Sequence, residues 1–299
     1  MRDFLQLHCV IALWGFTAVL GVMIELSATQ LVFYRSAAAS LILFAFLGNS
    51  PDISRGTKWG LFGNGAILGF HWIMFFIAVK IANVSICMIG MATISFWTAI
   101  FEPLLNRKCR FEWLNAVLGC VIVYAVFLIF HTESAFHRGL AVAIVGAILA
   151  TLFSIFNGML SDHADSQEIV MWEMFGAAVF CALAMLVMPI FDVNLASNRW
   201  WPTLQEWFWM TILVLACTLL AYRMYVQLLS SLSVFTINFA NNLEPVYGIS
   251  LGVLFFSDHE TLGSGFYTGG AIILVTVVLQ PLMARWQQRR QRRAEGRIS

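Results

Sequence analysis

Polar residues are bunched along this chain, and the stretches between the bunches are solidly apolar. Runs free of Asp, Glu, Lys and Arg cover 4–24, 59–79, 81–101, 113–132, 139–161 and 261–284. Each is close to the roughly 20 residues an α-helix needs to cross a bilayer. Four further runs carry one charge apiece in their interior: 29–47 with Arg35, 168–191 with Glu173 beyond the Glu168 at its start, 207–229 with Arg223 and 234–256 with Glu244. The pattern predicts ten helical spans. A β-barrel would alternate apolar and polar residues in segments of about 10 residues, and these runs do not alternate. The first run, directly after Arg2, reads as a helix to be kept: it is longer than the apolar segment of a leader peptide, and no small-residue cleavage pattern follows.

Composition agrees with the pattern. Hydrophobic residues make up 60% of the 299 and charged residues only 11%, against about 25% charged in soluble domains. This excludes a soluble enzyme core and predicts an all-α integral membrane protein. The six cysteines form no CxxC pair, so neither a disulfide framework nor a zinc site is expected, and no metal or cofactor is called for.

Basic residues fix an orientation. With ten spans, one side of the membrane collects Arg2, Arg55, Lys58, Arg107, Lys108, Arg110 and the tail arginines from Arg285 to Arg297, whereas the other holds Lys80, Arg138 and Arg199. Basic loops stay inside, so both termini are expected in the cytoplasm. The tail RWQQRRQRRAEGR, residues 285–299 with the last two, reads as a topology lock resting on anionic lipid headgroups rather than as a nucleic-acid site.

Ten spans divide into two fives. A five-helix unit crosses the membrane an odd number of times, so a second copy enters inverted. The expected units are 1–132 and 133–284, linked through HTESAFHR at His131–Arg138. Internal similarity supports this weakly: ANVSICMIGM from Ala82 resembles SSLSVFTINF from Ser230, and Gly119 aligns with Gly269. A second polar connection, Asp192 to Glu206, carries Trp200, Trp201 and Pro202 and suits the outer membrane interface.

Two stretches carry a family likeness. GFHWIMFFIAVKIANVSICMIGMATISFWTAIFEPLL (Gly69–Leu105) and LSVFTINFANNLEPVYGISLGVLFF (Leu232–Phe256) resemble the two repeats of EamA-type transporters in the drug/metabolite transporter superfamily. The resemblance implies ten helices in two inverted five-helix repeats, a central cavity walled by spans 1, 3, 4, 6, 8 and 9, and outward movement of small metabolites, amino acids or drugs. Two departures stand out: Ser257-Asp258-His259-Glu260 replaces the Gly-Glu pair with which family members often end span 9, and the corresponding turn in the first half is the basic Asn106–Arg110.

Intramembrane polar groups supply the candidate chemistry, because burying them in lipid is costly. In NNLEPVYG, Pro245 lacks an N–H and should kink span 9, leaving the Asn241 carbonyl without its helical partner. Glu244, Asn241 and Asn242 then gather a carboxylate and two amides beside it. Such a group can bind an amine or a cation, or take a proton; equally, Glu244 can serve the scaffold, neutral or paired with Arg35 or Arg223. Arg223 lies near the cytoplasmic end of span 8 and within reach of headgroups, while Arg35 and Glu173 are expected to pair with neighbours. His71 and Phe75 share a helix face, and His71 can donate a hydrogen bond to substrate or titrate near neutral pH; the alternative is a satisfied core histidine. Gly15, between Trp14 and Phe16, lets a neighbour or ligand approach closely. The expected substrate-binding residues are Trp14, His71, Trp72, Phe75, Asn241, Asn242, Glu244 and Tyr247, with Pro245 as the kink and Glu244 and His71 as proton-coupling candidates.

HExxH, GxSxG and GKS/GKT motifs are absent, which argues against an intramembrane protease, a hydrolase or an NTPase. The expected function is secondary transport across the inner membrane. Its small-molecule substrate has an apolar body and a polar or zwitterionic head, such as an amino acid, with a hydrophobic drug as the alternative cargo. A channel or receptor is the reading from another class. The partners expected are that substrate and membrane lipid, no nucleic acid, and at most a second copy of the chain.

Overall fold

The computed structural model describes residues 2–47, 53–132, 134–191, 199–256 and 263–295. The Ser257–Glu260 departure and the first part of the Asp192–Glu206 connection lie outside the described residues. Among the described residues the architecture is all-helical. In chain order the helices are α1 (Arg2–Met23), α2 (Ala28–Leu47), α3 (Arg55–Ile81), α4 (Val84–Met91), α5 (Ile94–Leu105), α6 (Trp113–Thr132), α7 (His137–Leu160), α8 (Ser166–Phe191), α9 (Leu204–Val214), α10 (Ala221–Leu228), α11 (Val234–Ala240), α12 (Glu244–Phe256) and α13 (Ser264–Glu295).

Among the described residues, eight candidate membrane spans are long and apolar enough to cross a bilayer, from Arg2–Met23 to Leu204–Leu228. They correspond to the first eight expected spans. The ninth stretch is assembled from α11, a 3₁₀ turn over Asn241–Leu243 and α12. The tenth appears as the shorter apolar segment Ser264–Leu279, within a helix that runs on through much of the basic tail.

Two expected continuous helices are interrupted. Residues 84–105 break at Ala92–Thr93, where the Thr93 hydroxyl donates to the Gly90 carbonyl at 2.8 Å. Residues 234–256 break at Asn241–Leu243. The expected kink takes a different form here: Pro245 falls in the first turn of α12, where its missing N–H costs nothing because those donors have no intrahelical acceptor. The Asn241 carbonyl is not left free either, since the Glu244 N–H reaches it across the 3₁₀ turn. Side chains cap the restarts: Asn83 accepts from the Ile86 N–H at the start of α4, and Ser233 from the Thr236 N–H at the start of α11.

Packing is tightest where small residues meet backbone. α3 lies along α7 and α8. A Cβ on Gly65 would drive into the Glu173 carbonyl and one on Gly176 into the Phe62 carbonyl, so the α3–α8 approach is reciprocal. α1 crosses α12 at Gly15, where a Cβ would meet Tyr247 Cβ at 3.0 Å and the Gly248 nitrogen at 3.1 Å. The neighbour that Gly15 admits is therefore a helix. Between the halves, α6 packs along α13, with Gly269 against Ile129.

In the Asn106–Arg110 turn, the Cys109 thiol lies 3.6 Å from a Glu102 carboxylate oxygen. Burial, and next the Glu102 charge, push this thiol above its usual range, so it stays protonated and donates. Large apolar side chains facing outward include Phe46, Trp113, Leu186 and Leu254, as expected of helices solvated by lipid.

Candidate functional site

A cavity of roughly 640 Å³, its mouth included, lies between the first five helices and α7, α10, α11 and α12. The spans that the resemblance names as walls all contribute. Trp14 and Thr17 come from α1; Leu68, His71, Trp72 and Phe75 from α3; Met91 and Ile94 flank the α4–α5 break; Phe153 and Ser154 come from α7; Tyr222 and Tyr225 from α10; and Asn238, Asn241 and Glu244 from the α11–α12 stretch. Each wall follows helical spacing: 68, 71, 72 and 75 lie on one face of α3, and 153 and 154 stand one turn beyond 150 on α7.

Six of the eight expected binding residues therefore converge: Trp14, His71, Trp72, Phe75, Asn241 and Glu244. Asn242 and Tyr247 are not part of the lining. Asn242 is buried with both amide atoms unpartnered among the described residues, and Tyr247 stands on the α12 face that crosses Gly15. The crossing is what carries Trp14 and Glu244 to the same cavity.

Aromatic rings form the apolar surface. Trp14 lies 5.3 Å from Tyr225, which stacks on Tyr222 at 5.7 Å and faces Phe153 at 6.3 Å. Such spacings are favourable for ring pairs and make that wall stiff.

His71 is tied down at one nitrogen. Its Nδ1 lies 2.9 Å from the Gly146 carbonyl, which can only accept, so Nδ1 carries the proton. The other nitrogen of the neutral ring is then an acceptor, and donation from it requires a second proton.

Of the two scaffold alternatives for Glu244, pairing with Arg35 or Arg223 does not occur among the described residues, whereas Arg199 and Glu206 form an ion pair at 2.6 Å. Arg223 is exposed beside Gln167, in keeping with a snorkelling position. Glu173 is fully buried and satisfied by neutral donors: Asn64 Nδ2 at 2.6 Å, Asn157 Nδ2 at 3.3 Å and the Tyr222 hydroxyl. Because Tyr222 also lines the cavity, this network braces its wall from behind.

Arg35 reaches the cavity from α2, a span not expected among the walls. It is 1% exposed. Its Nε donates to Thr218 Oγ1 at 2.6 Å and Nη2 to the Cys217 carbonyl at 3.2 Å, while the guanidinium carbon sits 3.7 Å from the Trp72 ring centroid, a cation–π contact. Both acceptors belong to a π-helical turn, Leu215–Leu220, between α9 and α10. There the Thr218 hydroxyl itself donates to Leu213, five residues back. π-Turns often occur at functional sites, and this one aims a hydroxyl and a carbonyl at a buried cation. Nothing in the sequence marks the turn.

Residues 137–280 match the EamA-like transporter family. This family lies within the drug/metabolite transporter superfamily, and its match spans most of the second half of the chain. No curated protein matches it. A solved crystal structure is similar over 96% of this chain and 98% of its own, with a TM-score of 0.67 and 15% identity, which shows likeness of fold alone. That likeness extends to the first half, which the family match does not cover. The family match implies a transporter of the drug/metabolite type, and the apolar helices agree with a multi-pass membrane protein.

Proposed function

We propose that this protein is a secondary transporter that exports a small metabolite, with an amino acid as the leading class, across the inner membrane by alternating access. The observation that carries the reading is the cavity: its walls come from α1–α5 on one side and α7, α10, α11 and α12 on the other. A rocking motion between 1–132 and 133–284 would expose such a cavity to each side in turn. In this reading the chain crosses the membrane ten times as two inverted five-helix repeats. The interrupted helices support it, because their caps, Asn83 and Ser233, stand at matching positions before matching breaks. Both termini are then cytoplasmic, as the distribution of basic residues suggests.

Trp14, His71, Trp72, Phe75, Asn241 and Glu244 are proposed to contact substrate, with Asn242 and Tyr247 shaping the kinked wall behind them. Glu244 lines the cavity without a cationic partner and is the proposed coupling group, with His71 as the second candidate. Facilitated diffusion of a metabolite or drug is the competing mechanism.

Purified protein in liposomes separates these readings. Saturable uptake with counterflow supports a carrier, whereas single-channel currents in a planar bilayer would refute it. An imposed pH gradient should drive accumulation by the wild type and not by Glu244→Gln. If the gradient has no effect and the variant transports normally, coupling through Glu244 is wrong.

A further inference from the structure

On the lipid-facing side of the bundle, away from the cavity, an apolar groove ends on a cation. Leu43 of α2, Val170 of α8 and Leu215, Leu219 and Leu220 of the π-turn form its walls, and Gln167 and Arg223 close one end. Its volume is roughly 580 Å³, the open side included. The two faces of the π-turn differ: Thr218 and Cys217 serve Arg35 on the inside, whereas Leu215 and Leu220 stand half exposed on the outside. Arg223 is exposed. With the Gln167 amide oriented to set acceptor against donors, its carbonyl accepts from Arg223 Nη1 at 2.7 Å and Nη2 at 2.9 Å. Gln167 thus orients the guanidinium without neutralising it. The acidic groups of the adjoining turn do not neutralise it either: Asp165 accepts from the Gln167 N–H and Glu168 from the Asp165 N–H, and Arg223 forms no ion pair among the described residues. At 1.5 Å per residue, Leu215 and Arg223 lie roughly 12 Å apart along the helix. Half of a bilayer's hydrocarbon core measures about 15 Å, so the groove has the length of one leaflet and carries its charge at the headgroup end.

We propose that this groove binds one anionic glycerophospholipid, in the leaflet that the topology above makes cytoplasmic, with its phosphate on Arg223 and one acyl chain along Leu220, Leu219 and Leu215. A guanidinium matches phosphate oxygens in number and plane. Length and charge act together. A free anion has no use for the apolar walls, and a zwitterionic lipid brings its own ammonium to compete for the phosphate. The basic tail attracts anionic lipids by charge alone, whereas the groove holds a chain as well. The site is independent of which solute the cavity takes. Because the inner face of the same turn holds Arg35, a chain seated in the groove supports the cavity wall from outside.

Native mass spectrometry of the delipidated full-length protein tests this, with dioleoyl phosphatidylglycerol set against dioleoyl phosphatidylcholine. The wild type should retain phosphatidylglycerol about fivefold more tightly, which is what one basic residue contributes at an anionic surface. Arg223→Gln should remove the preference and Arg223→Lys should keep part of it. Replacing Arg285, Arg289, Arg290, Arg292 and Arg293 together by Gln should leave it intact. A phosphatidylglycerol with a photoreactive diazirine in its acyl chain should label the protein at Leu215, Leu219 or Leu220, and Leu219→Trp, which fills the groove, should suppress that labelling with Arg223 in place. sn-Glycerol 3-phosphate, which has the phosphate and no chains, should not displace the lipid. Should Arg223→Gln fail to fold, the labelling pattern and Leu219→Trp decide. Equal retention of the two lipids, a preference that survives Arg223→Gln and follows the tail arginines, labelling spread evenly over the lipid-facing helices, or displacement by glycerol phosphate would each overturn the site.

Discussion

At the scale of single residues, burial decides what each polar group can do. Glu173, Asn64, Asn157 and Tyr222 come from α8, α3, α7 and α10 and close into one network. Interhelical side-chain hydrogen bonds in membranes average about 0.6 kcal/mol each. Removing the acceptor of three of them in Glu173→Ala should therefore cost about 2 kcal/mol, and Asn64→Ala distinctly less. Thermal unfolding of the detergent-solubilised variants measures this. Equal melting temperatures for Glu173→Ala and the wild type would show that the network is not structural. The sequence picked out Glu173 as costly and expected it to pair with a neighbour, without saying which. The actual partners are two neutral amides and a tyrosine hydroxyl on three other helices, and nothing local points to them.

At the scale of elements, close backbone approach is the governing constraint. Gly63, Gly65 and Gly69 share a short stretch of α3, yet their surroundings differ. A Cβ on Gly63 meets nothing, whereas one on Gly65 collides with the backbone of Glu173. Gly63→Ala should thus be neutral or stabilise by up to about 1 kcal/mol through helix propensity. Gly65→Leu should separate α3 from α8 and abolish the monodisperse protein. Size-exclusion profiles and melting curves check both, and a well-folded Gly65→Leu would contradict the packing. Helix breaks were only partly legible. Pro245 announced a disturbance in 234–256, but the turn precedes it, because proline fits a first helical turn better than a helix interior. The break at Ala92–Thr93 had no proline to signal it, and the π-turn at Leu215–Leu220 had no signal at all.

At the scale of the whole molecule, the charge distribution leads to a specific orientation. A reporter fused after Ser299 should be active only in its cytoplasmic form, and reducing the bias by replacing Arg107, Lys108 and Arg110 with Ser should weaken insertion or mix the topology. An externally active C-terminal reporter on the wild type would overturn the orientation. The outer end in this topology is tied by Glu206, which completes a capping box with Thr203, pairs with Arg199 and accepts from the Glu25 N–H at 2.9 Å. Glu206→Ala should lower stability by about 1–2 kcal/mol through the lost cap and its attached contacts, read again by thermal unfolding.

The sequence by itself determined that the chain is a bundle of apolar helices, which residues in them are expensive to bury, and that it resembles the EamA-type transporters. Those properties follow from composition, period and short motifs, all of them local. Six cavity residues were legible for the same reason, being polar or aromatic positions in otherwise apolar runs. Only the tertiary structure decided how these groups meet. Gly15 lets α12 approach α1 and so carries Glu244 to Trp14. Arg35 faces a π-turn rather than a carboxylate, and Glu173 finds its donors on three other helices. The physical reason is that lipid leaves polar side chains no partner but another helix, and which helix is adjacent depends on packing between residues far apart in the chain.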